Sequence, residues 1–185
     1  KLDGGFLSMI SAENKTIAEW RGWKLKSPSI PQPDKWPSVC IVLPVYNSPA
    51  LLRHALVTLM RTDYPGELVY TLVDNASTDK ETLELLNTRD FTPVRFDEPV
   101  GFATAVNAGM KQVDADYYVL FNQDCAVIEE DWLTRIIEWM EYRPQCAVAG
   151  PKLVYPTIHD EQIRQVQHAG IEIPEGTCAK HRYLG

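Results

Sequence analysis

The sequence predicts an α/β fold of three layers, with a mostly parallel sheet between helices. Three observations predict it. Continuous apolar runs such as Val39-Cys40-Ile41-Val42-Leu43 read as strands buried on both faces. Segments with apolar residues at helical spacing alternate with those runs. The connections between them are short, which implies right-handed crossovers and parallel neighbours. The bulk proportions agree. With 185 residues, 45% apolar and 23% charged, the chain can bury a full core as a single globular domain.

The elements follow in order. Residues 1–37 differ from the rest and read as an N-terminal arm and Pro-rich linker. Ser11 to Trp20 is expected to form a short helix with Ile17 and Trp20 on one face. Pro28, Pro31, Pro33 and Pro37 then exclude regular helix or central strand. The domain is expected to run from 38 to 185, opening with the apolar strand at Val39. Ser48-Pro49 reads as an N-cap with proline at the first helical position. Leu51, Leu52, Ala55, Leu56, Leu59 and Met60 give that first helix its core stripe. Leu68 to Val73 is a second strand, and Thr78 and Glu81 stand at capping-box spacing before a second helix. Val94-Arg95-Phe96 is a short third strand. Phe102, Val106, Met110 and Val113 mark a third helix beginning just after Gly101. Tyr117 to Phe121 is a fourth strand. Trp132, Leu133, Ile136, Ile137 and Met140 mark a fourth helix, with Glu129, Glu130 and Asp131 at its positive end. Cys146 to Ala149 and Leu153 to Tyr155 complete the order as strand.

Several function classes drop out. Against 18 Lys and Arg stand 25 Asp and Glu, a net charge of −7, which does not suit a basic nucleic-acid-binding face. No apolar run approaches the ~20 residues of a membrane span. No signal-peptide h-region follows Lys1-Leu2-Asp3-Gly4-Gly5, and the missing initiator Met suggests a processed chain or an excised piece. Cys40, Cys125, Cys146 and Cys178 lack metal-site spacing and read as buried reduced thiols, as expected in the cytoplasm. His54, His159, His168 and His181 are not spaced as a zinc site either.

Ligands of open α/β sheets bind at the carboxyl ends of the strands. Four polar, turn-rich segments fall there: Pro44-Val45-Tyr46-Asn47, Asp74-Asn75-Ala76-Ser77-Thr78-Asp79, Glu98-Pro99-Val100-Gly101 and Asn122-Gln123-Asp124. Any one of them alone could be a turn or a helix cap. Together they suit a nucleotide diphosphate with Mg²⁺ or Mn²⁺: carboxylates for a hard cation, and free N–H groups after Gly101 for an anion. Neither a G-x-x-x-x-G-K-[ST] loop nor a G-x-G-x-x-G fingerprint occurs.

The strings Ile41-Val42-Leu43-Pro44-Val45-Tyr46-Asn47, Val73-Asp74-Asn75-Ala76-Ser77-Thr78-Asp79, Val100-Gly101-Phe102-Ala103, then Asn107 and Gly109, and Leu120-Phe121-Asn122-Gln123-Asp124 resemble the inverting family 2 glycosyltransferases. Gly150-Pro151-Lys152-Leu153 and Gln167-His168-Ala169-Gly170 resemble that family's rhamnosyltransferase-like branch. The resemblance implies a GT-A fold, a Rossmann-like three-layer αβα arrangement, and a nucleotide-sugar donor. Under it Pro44 and Tyr46 line the base pocket, Asp74 accepts from the base's ring N–H, and Asp124 is the metal ligand. Asn47, Asn75, Gly101 and Asn122 join them as donor-nucleotide residues. Gln123 stands where the family has a carboxylate, with an amide that can still bond a ribose hydroxyl. The implied acceptor is a saccharide or a lipid-linked glycan, and the expected location is cytoplasmic, compatible with peripheral association at the inner face of the membrane. The catalytic base is expected outside this chain, which then reads as the donor-binding part of a longer enzyme, truncated at its acceptor side. Glu172 and Glu175 are the internal candidates. A non-catalytic module of the same fold that binds a nucleotide or a partner is the alternative.

Overall fold

The computed structural model of the chain describes residues 30–87, 91–155, 166–168, 171–172 and 180–181. The expected helix at Ser11 to Trp20, together with His159, Glu175 and Cys178, lies outside them. The chain divides into two compact units, Lys1–Arg135 and Ile136–Gly185.

The first unit carries one four-stranded sheet. Its strands are β1 (Val39–Val45), β2 (Leu68–Asp74), β3 (Thr92–Arg95) and β4 (Tyr117–Leu120), in the order β3-β2-β1-β4 with every neighbour parallel. Helices α1 (Pro49–Leu59), α2 (Lys80–Leu86) and α3 (Phe102–Met110) connect the strands, and α4 (Trp132–Tyr142) follows β4. The strand order reverses between β1 and β4, where an open sheet leaves a crevice beyond its carboxyl ends.

β1 is the centre of the sheet and is buried over nearly its whole length. Pro44 sits inside it, opposite Val73 of β2. A proline lacks the N–H a central strand must donate. Here β4 pairs with β1 only from Val39 to Val42, and Phe121 N–H closes on Val42 O at 3.0 Å. The side of β1 that Pro44 leaves without a donor is therefore the side β4 has already left.

One face of the sheet packs on α3. Cys40, Val42 and Val73 meet Ala105 there, with Val94, Phe96, Met110 and Tyr118 around them. Gly109 makes the approach possible, since a Cβ on it would lie 2.5 Å from Val42 Cγ1 and 2.7 Å from Val73 Cγ2. Burial pushes the Cys40 thiol up from its usual range on this face. By alternation Tyr70 and Leu72 point the other way, and the Tyr70 hydroxyl donates to Leu59 O of α1 at 3.2 Å. At the edge where β1 and β4 begin, Asp116 fastens them. Its Oδ2 accepts from Ser38 N–H at 2.7 Å and from the Ser38 hydroxyl at 2.9 Å, which holds this carboxyl below the usual range. Just before β1, Trp36 stacks edge-on against Tyr64, whose hydroxyl donates to Pro37 O at 2.6 Å.

Several expectations need correction. Ser48 precedes α1 in the left-handed region, at φ 58°, and makes no side-chain cap. Leu51 and Met60 are exposed, while Val57 and Thr58 are buried. The buried stripe thus turns toward Val57 and Thr58, where the Thr58 hydroxyl accepts from Val127 N–H at 3.1 Å inside the core. The cap of α2 is Asp79, not Thr78: Asp79 Oδ1 accepts from Thr82 N–H at 2.8 Å. Phe102 is exposed at the start of α3. Residues 146–149 form no strand, and Val148 is 87% exposed. Apolar composition without burial does not make a strand, and Pro144 and Pro151 bracket this run. Cys125 and Cys146 are only partly buried. In the second unit β5 (Leu153–Val154) pairs antiparallel with β6 (Val166–His168), and β7 (Ile171–Glu172) with β8 (Lys180–His181).

Gly109→Ala should destabilise the protein by about 1–3 kcal/mol, because backbone or sheet must shift to admit one methyl. A methyl on Gly101 meets nothing within 4 Å, so Gly101→Ala carries no such steric cost. Urea unfolding of both variants tests this, and equal midpoints would contradict the close α3–sheet approach.

Candidate functional site

The carboxyl ends of the four parallel strands lie along one edge, and the polar side chains expected there divide into two groups. The first group is consumed in joining one strand-end loop to the next. Gln123, after β4, reaches across to β1. Its Oε1 accepts from Tyr46 N–H at 2.8 Å, and its Nε2 donates to Tyr46 O at 3.2 Å. Asn47, after β1, reaches to the β2 loop. Its Oδ1 accepts from the N–H groups of Thr78 at 2.8 Å and Asp79 at 2.9 Å. Its own N–H donates to Ser77 Oγ at 2.9 Å. Asn75, after β2, reaches to the segment before α3. Its Oδ1 accepts from Val100 N–H at 2.8 Å, and its Nδ2 donates to Val100 O at 3.0 Å. An amide carries both a donor and an acceptor, so Gln123 and Asn75 each satisfy both backbone groups of one residue, as a neighbouring strand would.

This lacing holds the backbone where few residues settle unaided. Asn47, Ser48 and Ala76 have φ of 49°, 58° and 65°. Asn tolerates that region better than most, while Ala does not. Asp74 is part of the same construction. It is 3% exposed, its Oδ1 accepts from Ser77 N–H at 2.8 Å, and its Oδ2 accepts from the Arg95 guanidinium. Arg95 was not among the residues expected at the site, and the buried Ser77 was expected only as part of the Asp74–Asp79 segment. The signal for Arg95 was present, as a charge inside the apolar strand Val94-Arg95-Phe96 that falls opposite Asp74 in parallel register.

The second group faces outward. Tyr46 is 52% exposed. Asn122 and Asp124 are exposed on the loop after β4. Among the described residues, the Asp124 carboxylate receives one contact, from Cys125 Sγ at 3.8 Å. Burial first, and the Asp124 charge second, push the Cys125 thiol up from its usual range. Gly101 caps α3 with no side chain, and Phe102, Ala103 and Thr104 are exposed behind it. The first-turn N–H groups of a helix have no partner within the helix. No group of three His, Cys, Asp or Glu that could hold a metal ion occurs among the described residues. A cation here would therefore need ligands from what it binds with, which suits Mg²⁺ and its habit of taking one or two carboxylates plus phosphate oxygens.

Comparison with known proteins gives a consistent picture. The family model described as "Glycosyl transferase family 2" matches residues 40–177. The O-antigen biosynthesis protein RfbC of Myxococcus xanthus is 30% identical over 151 residues, covering 80% of this chain and 11% of that protein. An N-acetylglucosaminyltransferase of Mesorhizobium japonicum is 27% identical over 186 residues, covering 82% of this chain and 41% of that protein. The chain thus spans less than half the length of these relatives. Among solved structures, the mannosyltransferase PcManGT from Pyrobaculum calidifontis in complex with GDP-Man and Mn²⁺ covers 74% of this chain and 41% of its own, with 23% identity and a TM-score of 0.52. TarS 1–349 of S. aureus covers 56% and 32%, with 21% identity and a TM-score of 0.50. These likenesses show the fold, the GT-A arrangement of a mostly parallel sheet with helices.

Replacing a lacing amide should cost stability. Asn47→Ala strands two backbone N–H groups and frees a left-handed residue, a loss of about 1–3 kcal/mol. Asp124→Ala should stay within about 0.5 kcal/mol of the wild type, as an exposed side chain away from the lacing. Chemical denaturation separates the two, and an Asp124→Ala loss as large as that of Asn47→Ala would contradict the division.

Proposed function

We propose that this chain, which belongs to glycosyl transferase family 2, binds the diphosphate of a nucleotide sugar at the carboxyl edge of β1, β2 and β4. The donor is UDP- or dTDP-linked, and its sugar passes with inversion to a saccharide or lipid-linked acceptor. One observation carries the reading. With the loops joined by their own amides, the groups left outward along this edge are an aromatic ring and a carboxylate flanking the strand-order reversal, and an uncapped helix end beside the β2 loop. Those are the three kinds of group that a base, a cation and a phosphate require.

In this reading Tyr46 stacks on the base, with Pro44 behind it at the end of β1. Asp74 keeps lone pairs beyond those taken by Ser77 and Arg95, and it accepts the ring N–H of uracil or thymine. Asn122 and the N-terminus of α3 after Gly101 lie against ribose and phosphate. Gln123 acts through Tyr46, whose backbone it holds, and Asn47 and Asn75 act through the loops they join. Mg²⁺ or Mn²⁺ fits Asp124 together with the donor's phosphates, and when bound it neutralises charge on the leaving diphosphate. With Asp124 on the cation, the acceptor proton goes to a carboxylate in the longer protein. The strings at Gly150 and Gln167 favour the rhamnosyltransferase-like branch. Because that base lies elsewhere, the 185 residues alone should bind donor yet transfer its sugar roughly 10²–10⁴-fold more slowly than the longer protein.

Calorimetry with UDP and dTDP, in Mn²⁺ and in EDTA, tests the site. Wild type should bind more tightly with Mn²⁺. Asp124→Ala should lose that increment while keeping the metal-independent part, and Asp124→Asn should be nearly as poor, since an amide is a weak ligand for a hard cation. A metal-stimulated affinity that survives in Asp124→Ala would return this residue to a surface turn. A longer protein that binds donor yet neither transfers nor hydrolyses it would favour the non-catalytic reading.

A further inference from the structure

We infer that Arg95 is a positioning residue for base recognition, acting through Asp74; this deepens the nucleotide reading above and rests on it. Arg95 is the last residue of β3 and lies opposite Asp74, the last residue of β2. Its guanidinium spans the turn from 74 to 77. One nitrogen, Nη1, donates to Asp74 Oδ2, and the other, Nη2, donates to Ser77 O at 3.1 Å. The Ser77 N–H closes the same turn on Asp74 Oδ1. Between these anchors Ala76 is held at φ 65°. The guanidinium thus fixes the carboxylate and the turn together, and it does so as a rigid planar fork that an ammonium cannot reproduce.

Exposure tells the two members of the pair apart. The Asp74 side chain is 4% exposed and that of Arg95 is 50%. A carboxylate so enclosed is costly unless paired, and removing its partner leaves it to turn outward or rearrange the turn around it. Either response moves the one acceptor assigned to the base. The diphosphate and cation groups, Asp124 and the N-terminus of α3, share no hydrogen bond with Arg95 among the described residues. Loss of Arg95 should therefore be felt at the base and not at the phosphates. A role in fold stability alone would weaken every ligand together, in proportion to the folded fraction lost.

The test measures affinity for UDP and for inorganic pyrophosphate, each with Mn²⁺, under conditions where circular dichroism shows each variant folded. Arg95→Met should weaken UDP roughly 10- to 100-fold, the range of one charge-assisted hydrogen bond, and leave pyrophosphate unchanged. In the Asp74→Ala background the same substitution should cost nothing further, because its effect runs through Asp74. Arg95→Lys keeps the charge but loses the fork, so it should recover part of the UDP affinity. If Arg95→Met does not fold, Arg95→Lys must show the same selective loss on a smaller scale. Unchanged UDP affinity in Arg95→Met, or in Arg95→Lys where only that variant folds, alongside a loss in Asp74→Ala would overturn the role of Arg95 alone. Equal losses of UDP and pyrophosphate in the folded variant would also overturn it. Unchanged UDP affinity in Asp74→Ala would remove the base reading and this inference with it.

Discussion

An open parallel sheet ends in a row of loops whose backbone groups have lost their strand partners, and in this protein side-chain amides take the partners' place. Gln123 pairs with both backbone groups of Tyr46, and Asn75 with both of Val100. Asn47 takes two N–H groups of the β2 loop. Each bridge joins neighbours in the order of the sheet: β4 to β1, β1 to β2, and β2 to the segment leading into α3. Unpaired backbone groups at a half-buried edge cost about as much as lost hydrogen bonds. The bridges remove that cost and at the same time fix where the outward groups stand.

A rigid edge has consequences for recognition. Groups already in place lose little freedom when a ligand arrives, so more of the contact energy appears as affinity. The same economy explains the non-glycine residues at positive φ. Asn47, Ser48 and Ala76 keep a conformation that would be unfavourable in isolation because the bridges and the Asp74–Arg95 pair over-determine it. The sheet beneath is equally constrained. Gly109 lets α3 sit against Val42 and Val73, and α3 in turn carries the uncapped end that faces the edge.

Much of this was legible in the residues. The run at Val39 is apolar throughout, and only a strand covered on both faces needs that. The alternation of such runs with helical stripes gave the parallel sheet and its helices. The polar residues at four strand ends were also visible as a set. Their division was not. An asparagine that binds a ribose and one that binds a neighbouring loop are the same letter at the same strand end, and only the geometry shows that Asn47, Asn75 and Gln123 face inward. Arg95 is not marked out in the sequence because short strands often carry a charge at their ends, and its pairing with Asp74 depends on the β2–β3 register. Residues 146–149 misled because their composition suits a strand while their flanking prolines and exposure do not. The cap of α2 is Asp79 and not Thr78 because the helix begins at Lys80, one residue later than the Thr78–Glu81 spacing implies.

The edge is laced before any nucleotide arrives, and amide hydrogen exchange tests this most directly. In the free protein the N–H groups of Tyr46, Thr78, Asp79 and Val100 should exchange slowly, as befits groups bonded to Gln123, Asn47 and Asn75. Those of Phe102 and Ala103, in the first turn of α3, should exchange fast. Adding UDP with Mn²⁺ should slow the α3 pair and leave the laced four almost unchanged. If the four exchange as fast as the α3 pair in the free protein and slow only when nucleotide binds, the edge is built by the ligand and the account is wrong.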